Sequence, residues 1–294
     1  MHSWVLVEAD VEPGTGEPEF EQVCRIAVAD DFVVEHPEFG QVYFGNRLDE
    51  QWFANVRSGL EKADRDLAME LVDVSWRVDP VAEFRELAAS NPEYVVISEA
   101  NTISFDPSVI SDYPGVRFGV VDGPVEGPNV TSVDFANEEG AFLAGVAAAM
   151  KTETGIVGFV GAQPDRETEA FRAGFEEGVR SVDEEITVLA VYVLQFADDI
   201  NGTGRPDLGE AGARALYRRG ADVIYAVAGT SGLGVFTAAS SESDVLGRKL
   251  WAIGADNDQW FEVGADEQRH VLTSIIKRGD LASYRLVEHM LGDG

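Results

Sequence analysis

The sequence lacks the features that mark disulfide-rich proteins and integral membrane proteins. Its only cysteine is Cys24, so no disulfide can form within the chain, and cysteine usage leaves the redox compartment open. The apolar run Ala141–Met150 is well short of the ~20 residues that a helix needs to span a bilayer. The chain has 294 residues and is 45% hydrophobic, which is enough for one large domain or for two lobes with separate cores.

Basic residues are also scarce. The chain has 22 lysines and arginines against 53 acidic residues, which gives a formal net charge of -31. Such a charge repels phosphate backbones and anionic lipid head groups, so binding to nucleic acid or to a membrane surface is not expected. Because the acidic residues are spread over every predicted helix, we interpret them as an adaptation to concentrated salt, as in a halophile. An ordinary acidic mesophilic protein is the alternative.

Signatures of catalysis and metal binding are missing as well. The four histidines are scattered, and neither a Gly-x-Ser-x-Gly elbow nor a His-Glu-x-x-His pair occurs. The acidic segment Asp256–Gln259 lacks the ligand spacing of a calcium loop. We therefore predict a protein that is not an enzyme and that has no catalytic residue, cofactor or metal site.

From Cys24 onward, short β-branched runs alternate with amphipathic segments, which is typical of α/β proteins with parallel sheets flanked by helices. The predicted strands are Val23–Ala29, Ala68–Val74, Glu93–Ser98, Val116–Asp122, Gly155–Val160, Ile186–Tyr192, Ala221–Ala226 and Lys249–Gly254. The predicted helices are Asp49–Asp66, Val81–Ala89, Glu138–Met150, Glu167–Val182, Leu208–Arg219 and Gly232–Ser240. Asn137 precedes one of these helices and is predicted to be its N-cap.

The predicted strands are too many for one sheet around a single core, and the pattern pauses near Val130–Phe135 and Val271–Ser274. We therefore predict two lobes joined by a hinge: residues 1–130 plus 275–294 form the N-terminal lobe, and residues 131–274 the C-terminal lobe. Because α/β folds bind ligands at the carboxyl ends of their strands, a ligand cleft is expected between the lobes. No structure is predicted for the first 22 residues or for the connection 32–47.

Three segments carry candidate binding residues. Ala228–Gly234 is rich in glycine, follows a strand and opens a helix, so its backbone N–H groups could bind a ligand oxygen; a tight turn without a ligand is the alternative. Asp256–Gln259 follows a strand, and its carboxylates suit sugar hydroxyls, with a metal site or a solvated turn as alternatives. Lys277 lies beside the predicted hinge, where its ammonium could reach ligand acceptors or remain on the surface.

Two aromatic residues at the ends of elements offer another kind of contact. Trp52 opens a predicted helix, and Phe196 precedes a pair of aspartates. Each ring could stack on a flat ligand, although core packing is the more common role of such residues.

Over more than half its length, from Val116 to Lys277, the chain resembles a known family. The resembling segments are Arg117–Asp122, Asn129–Ser132, Phe135–Gly145, Gly155–Gly161, Phe171–Phe175, Gly220–Ile224, Ile253–Gln259 and Leu272–Lys277. In order and spacing they resemble the basic membrane protein family of ABC-transporter substrate-binding lipoproteins, the purine nucleoside receptors. The resemblance implies a type I periplasmic-binding-protein-like fold of two lobes, with a nucleoside, of the purine type, as the ligand.

The resemblance also implies roles for individual residues. The positions that match ligand-binding positions of the family are Asp31, Trp52, Asn101, Asp106, Phe196, Gly229, Asp256 and Lys277. By this likeness Trp52 and Phe196 sandwich the base, while Asp256 and Lys277 hold the ribose beside the loop at Gly229. The other three positions lie where further contacts with the base are expected.

Some features depart from the family pattern. Trp52-Phe53 stands where the family has Phe-Asn, and the connection 32–47 is long, which leaves the identity of the base open. The lipobox cysteine is absent, the start of the chain resembles no export leader, and the chain ends before the last strands of its relatives. We expect a trimmed chain, or a relative without an anchor, located in the periplasm or at the outer face of the membrane. A cytoplasmic location is the alternative.

The expected function is that of a monomeric, extracytoplasmic solute-binding protein that delivers a nucleoside to an ABC transporter permease. A sensory or regulatory protein of the same fold is the first alternative. A hydrolase acting on nucleosides is the second.

Overall fold

The computed structural model of the chain describes residues 5–6, 24–25, 38–43, 50–67, 70–74, 85, 88–89, 92–98, 107–123, 125–193 and 204–292. The chain divides into two compact units. The first comprises Met1–Phe44, Arg57–Val133 and Ala282–Gly294, and the second comprises Gly45–Val56 and Asp134–Leu281. The lobe boundaries, the hinge and the cleft inferred from the sequence stay predictions.

The first unit contains a five-stranded parallel sheet and a separate antiparallel pair of strands. Its strands are β1 (Val5–Leu6), β2 (Cys24–Arg25), β3 (Glu38–Tyr43), β4 (Glu70–Val74), β5 (Tyr94–Ser98), β6 (Arg117–Val121) and β7 (Val130–Val133). The parallel sheet has the order β4-β3-β5-β6-β7. Val95, Ile97, Phe118 and Val120 are fully buried in its core.

The second unit contains another five-stranded parallel sheet. Its strands are β8 (Ile156–Gly161), β9 (Thr187–Tyr192), β10 (Val223–Val227), β11 (Trp251–Asp256) and β12 (Val271–Ile276). The order β9-β8-β10-β11-β12 repeats that of the first sheet. Along β10, Tyr225 and Val227 join one hydrophobic cluster while Ile224 and Ala226 join another, so both faces of the sheet are buried.

Helices cover these sheets. Their bounds are α1 (Glu50–Leu67), α2 (Asn137–Lys151), α3 (Arg166–Val182), α4 (Pro206–Arg218), α5 (Leu233–Leu246), α6 (Ala265–Gln268) and α7 (Gly279–Gly292). In the part of the chain that the structure describes, no helix has the length and apolar character needed to cross a membrane.

Helices α2 and α3 approach each other at backbone distance. A Cβ atom on Gly178 would lie 2.0 Å from the carbonyl oxygen of Phe142, and one on Gly174 would lie 2.2 Å from that of Glu138. Only glycine permits this approach without moving a helix. The packing brings the first turn of α3, which carries Glu167, next to the first turn of α2.

The predicted α/β class with helix-flanked parallel sheets is confirmed, and so are most predicted elements. For example, the helix predicted at Gly232–Ser240 is α5, and the strand predicted at Ala221–Ala226 is β10. Of the predicted strand Val23–Ala29, only β2 is described, and it pairs antiparallel with β1. Most of the predicted helix Val81–Ala89 lies outside the described residues.

Three local predictions are wrong. Both predicted pauses contain edge strands, β7 and β12, whose half-exposed residues lack the continuous apolar run of a central strand. Asn137 is not an N-cap, because α2 begins at Asn137 itself and the Asn137 Nδ2 atom donates to Glu167 Oε1 at 3.3 Å. Apart from these edge strands, four elements had no prediction: β1 lies in the first 22 residues, β3 in the connection 32–47, α6 after the last predicted strand and α7 after Lys277.

Candidate functional site

Half of the predicted site residues lie in parts of the chain that the structure describes. These are Trp52, Gly229, Asp256 and Lys277, and all of them belong to the second unit. The other four fall outside the described residues: Asp31, Asn101, Asp106 and Phe196. The part of the candidate site that the structure describes therefore lies in the second unit.

Asp256 and Lys277 meet at the carboxyl ends of two neighbouring strands. Asp256 ends β11 and is in register with Ile276, which ends β12. The backbone N–H of Lys277 donates to the Asp256 carbonyl oxygen at 3.0 Å, and Lys277 Nζ lies 3.7 Å from Asp256 Oδ1. Asp256 has a φ of +67°, a left-handed conformation that aspartate and asparagine tolerate better than most residues. The chain therefore turns sharply at the residue that carries the carboxylate.

Lys277 is buried and surrounded by opposite charge and aromatic rings. It is 8% exposed, and its Nζ donates to Glu167 Oε1 at 2.9 Å. The same ammonium lies 5.2 Å from the ring centre of Phe171, 5.6 Å from Phe135 and 5.7 Å from Trp52. Such contacts favour a cation that is shielded from water. The alternative prediction that Lys277 remains on the surface is therefore wrong.

Trp52 is a core residue in this structure. It is 2% exposed, and its ring packs edge-on against Phe135, with centroids 5.8 Å apart at 74°. Its indole Nε1 is buried and has no hydrogen-bond partner among the described residues. The stacking role expected from the family resemblance stays a prediction.

A pocket of about 370 Å³ opens beside Lys277. Its lining residues are Gln51, Asn55, Asn257, Asp258, Phe261, Glu262, Ile276, Lys277, Arg278 and Asp280. One wall is set by a hydrogen bond from Asn55 Nδ2 to Asn257 Oδ1 at 2.6 Å, which links α1 to the turn after β11. Phe261 is 76% exposed and presents an aromatic surface at the pocket. The pocket combines donors, acceptors and apolar surface, as small-molecule sites do.

A second, smaller space adjoins this pocket. It has a volume of about 10 Å³, and its lining residues are Ala226, Gly229, Thr230, Ala255, Asp256, Asn257, Gln259 and Glu262. Gly229 has a φ of +53° and begins a short 3-10 turn that leads into α5. The two predicted residues Gly229 and Asp256 thus lie at one small space, while Asn257 and Glu262 line both spaces.

Glu262 has an unusual electrostatic environment. Burial raises the pKa of its carboxyl group, and the nearby carboxylates of Asp256 and Asp258 raise it further. Shifted pKa values of this kind are common at functional sites. Within the described ranges, no group of three or more His, Cys, Asp or Glu residues is arranged to hold a metal ion.

Several residues around the candidate site could not be predicted from the sequence. Glu167 and Asn55 lie on helices, where acidic and amide residues usually face solvent, and only the fold brings them to Lys277 and Asn257. Phe171 belongs to the family-like segment Phe171–Phe175, but nothing in the sequence indicated that its ring would lie near Lys277.

The chain is thus an α/β protein with a polar pocket of small-molecule size at the carboxyl edge of its second sheet. A family model described as "ABC transporter substrate-binding protein PnrA-like" matches residues 38–294. The chain belongs to this family, the Bmp family. Its members are extracytoplasmic solute-binding proteins of ABC transporters, not enzymes.

Curated relatives agree with this assignment. Basic membrane protein B of Borreliella burgdorferi is 35% identical over 175 residues, which cover 58% of this chain and 47% of that protein. The ABC transporter nucleoside-binding protein BmpA of Lactococcus lactis is 36% identical over 172 residues, or 56% and 47% of the two chains. The chain thus spans about half the length of these curated relatives.

The similarity to a solved structure concerns the fold. A solute-binding protein of an ABC transporter system from Aeropyrum pernix matches with a TM-score of 0.69 at 22% identity, over 87% of this chain and 71% of that one. The predicted periplasmic-binding-protein-like fold is confirmed.

Proposed function

We propose that the chain binds a nucleoside for an ABC importer, in the pocket at the carboxyl edge of the second sheet. Family membership and the nucleoside-binding relative of Lactococcus lactis support this ligand class. The observation that carries the proposal is the pairing of Asp256 with Lys277. The family resemblance assigns both residues to the ribose, and they lie 3.7 Å apart beside a pocket of about 370 Å³.

The chemistry of the pocket suits a ligand with a ring and a sugar. Asp258 and Glu262 provide acceptors for hydroxyl groups, and the amides of Asn55 and Asn257 provide both donors and acceptors for a heterocycle. The exposed ring of Phe261 offers a stacking surface, which contributes ~1–3 kcal/mol per base in nucleic-acid complexes. A purely charged or purely apolar ligand would leave part of this lining without a partner.

The proposal also includes four more specific properties of the protein. The ligand is a purine nucleoside, the protein acts outside the cytoplasm, it is a monomer, and it delivers its ligand to the permease of the transporter. The family assignment supports the location and the permease.

A calorimetric and thermal-shift screen in molar salt tests the ligand class. The screen compares purine nucleosides, pyrimidine nucleosides, free bases, sugars and amino acids. A nucleoside present at a hundred times its Kd should add about 2.7 kcal/mol to the free energy of unfolding if it binds only the folded state. A melting point that responds to a sugar or an amino acid, and to no nucleoside, would contradict the proposal.

Two lysine variants test whether the ligand binds in this pocket. Lys277→Met removes the ammonium but keeps most of the apolar stem, and it should weaken nucleoside binding strongly. Lys62→Ala is the control, because Lys62 pairs with Asp66 on α1 and does not line the pocket. Equal affinities of the two variants would place the ligand elsewhere.

A further inference from the structure

The Lys277 ammonium lies among aromatic rings that confine it without directing it. The ring centres of Phe171, Phe135 and Trp52 lie 5.2, 5.6 and 5.7 Å from its Nζ atom. An aromatic face attracts a cation, but it has no lone pair at a fixed point that would select one orientation of the N–H groups. The four-carbon stem of lysine is also flexible. Another group is therefore needed to fix the direction of the ammonium.

Glu167 is placed to give this direction. Its Oε1 atom accepts from Lys277 Nζ at 2.9 Å, whereas Asp256 Oδ1 lies 3.7 Å from the same nitrogen. A hydrogen bond between opposite charges is shorter and stronger than one between neutral groups. Because an ammonium has three N–H donors, bonding to Glu167 does not prevent it from bonding to a ligand as well.

Glu167 is itself fixed by the fold. It lies in the first turn of α3, where the Asp165 carboxylate caps the helix by accepting from the Thr168 N–H at 2.8 Å and where the helix dipole favours negative charge. Asn137 Nδ2, in the first turn of α2, donates to the same Glu167 Oε1 atom at 3.3 Å. The glycine contacts between α2 and α3 set the distance between these two turns. The carboxylate is thus mounted on two packed helices rather than on a loop.

We propose that Glu167 is a positioning residue that acts on the ligand through Lys277. It is not among the residues that line the pocket, whereas Lys277 is. Its carboxylate holds the ammonium in one direction before the ligand arrives, so less side-chain freedom is lost on binding. The inference rests on the proposed function, in which the ligand of this pocket is a nucleoside. It adds that affinity depends on a helix residue outside the pocket.

Nitrogen-15 NMR of lysine ammonium groups tests the contact without any ligand. The chain has four lysines, so a protein labelled at lysine gives a simple spectrum. A buried, hydrogen-bonded ammonium exchanges its protons slowly, so Lys277 should give a sharp signal that disappears in Lys277→Met. This signal should broaden or shift in Glu167→Gln and stay the same in Glu177→Gln, the control on the exposed side of α3. A signal that is missing from the unaltered protein, or unchanged in Glu167→Gln, would overturn the proposal.

A double-mutant cycle tests the role in binding. Isothermal titration calorimetry with inosine compares the unaltered protein, Glu167→Gln, Lys277→Met and the double variant, after melting curves show that each is folded. Glu167→Gln alone should weaken binding about fivefold or more, and it should have little further effect in the Lys277→Met background. A residue that only supports the fold would weaken binding by the same factor in both backgrounds, and that result would overturn the positioning role.

Glu167→Asp separates charge from shape and does not depend on the affinity of Lys277→Met. Glutamine keeps the shape of the side chain, whereas aspartate keeps its charge. If Glu167 acts by its charge on Lys277, Glu167→Asp should bind inosine more tightly than Glu167→Gln. The reverse order, or an affinity unchanged in Glu167→Gln, would overturn the inference and leave the nucleoside proposal standing. If no nucleoside binds to the unaltered protein, the proposed function fails and this role fails with it.

Discussion

The two edges of the second sheet use polar residues in different ways. At the amino edge, Asp222 precedes β10 and is 4% exposed. Its carboxylate accepts from Thr152 Oγ1 at 2.6 Å, from the Glu153 N–H at 2.6 Å and from the Thr154 N–H at 3.1 Å. This buried acid therefore ties the loop after α2 to the sheet.

At the carboxyl edge, buried polar atoms are left without such bonds. Gln259 Oε1 and Glu262 Oε1 have no hydrogen-bond partner within the described residues. Buried groups that bond within the protein stabilise the fold, whereas unmet groups beside a pocket are suited to a ligand. We therefore expect changes at the amino edge to affect folding and changes at the carboxyl edge to affect binding.

The largest effect on folding should come from Asp222→Ala. The substitution removes three hydrogen bonds and leaves two backbone N–H groups of the loop without an acceptor. The free energy of unfolding should fall by about 3 kcal/mol in urea titrations, while the folded protein keeps its affinity for nucleoside. A fall of less than about 0.5 kcal/mol, typical of surface substitutions, would contradict this view of the amino edge.

Asp256→Asn should weaken ligand binding and leave the stability of the fold almost unchanged. Asparagine tolerates the left-handed backbone at this position, so stability should change little. Because hydrogen bonds to a charged group contribute ~1.5–3 kcal/mol, affinity for nucleoside should fall about tenfold or more by calorimetry. Asp266→Asn, at an exposed aspartate outside the pocket, is the matched control. Unchanged affinity in the Asp256 variant would contradict a ligand contact there.

Glu262→Gln should change how stability depends on pH. Since folding raises the pKa of this carboxyl group, its contribution to stability is fully present below the ordinary glutamate pKa and is lost as pH rises through the raised value. The melting temperature of the unaltered protein should therefore fall relative to the variant across this window. Parallel curves for the two proteins at constant salt would show that the carboxyl group titrates normally.

The smallest effect on stability should come from Gln259→Leu. Because Gln259 Oε1 already lacks a hydrogen-bond partner among the described residues, replacing this buried side chain by an apolar one of similar size should be nearly neutral. Without ligand, the melting temperature should stay the same or rise slightly, in contrast to that of Asp222→Ala. A clear loss of stability would mean that Gln259 supports the fold.

The sequence predicted the central strands and the long helices because their apolar patterns are strong. The edge strands β7 and β12 were missed because half-exposed residues such as Thr273 and Ser274 interrupt the apolar pattern. The N-cap prediction at Asn137 was wrong because α2 begins at this residue, whose side chain donates to Glu167 on another helix. Only at Asn137 did a local preference give way to a tertiary contact.

The site was predicted only in part. Gly229 and Asp256 were selected because each follows a predicted strand, and loops after parallel strands meet at one edge of a sheet. Lys277 was selected because it lies beside the predicted hinge, and the ligand contacts of all three residues stay predictions. Glu167, Asn55 and the unmet oxygens of Gln259 and Glu262 depend on distances between elements, which no spacing along the chain reveals. The sequence could therefore predict that the site is polar, but not which residues contact one another there.

Hydrogen exchange with and without a purine nucleoside tests whether the ligand binds at the carboxyl edge of the second sheet. Backbone amides in 255–262 and 272–280, at that edge, should exchange more slowly with nucleoside, whereas exchange in 151–155 and 219–223, at the amino edge, should not change. Saturating nucleoside that leaves exchange in 255–262 and 272–280 unaltered would contradict binding in this pocket.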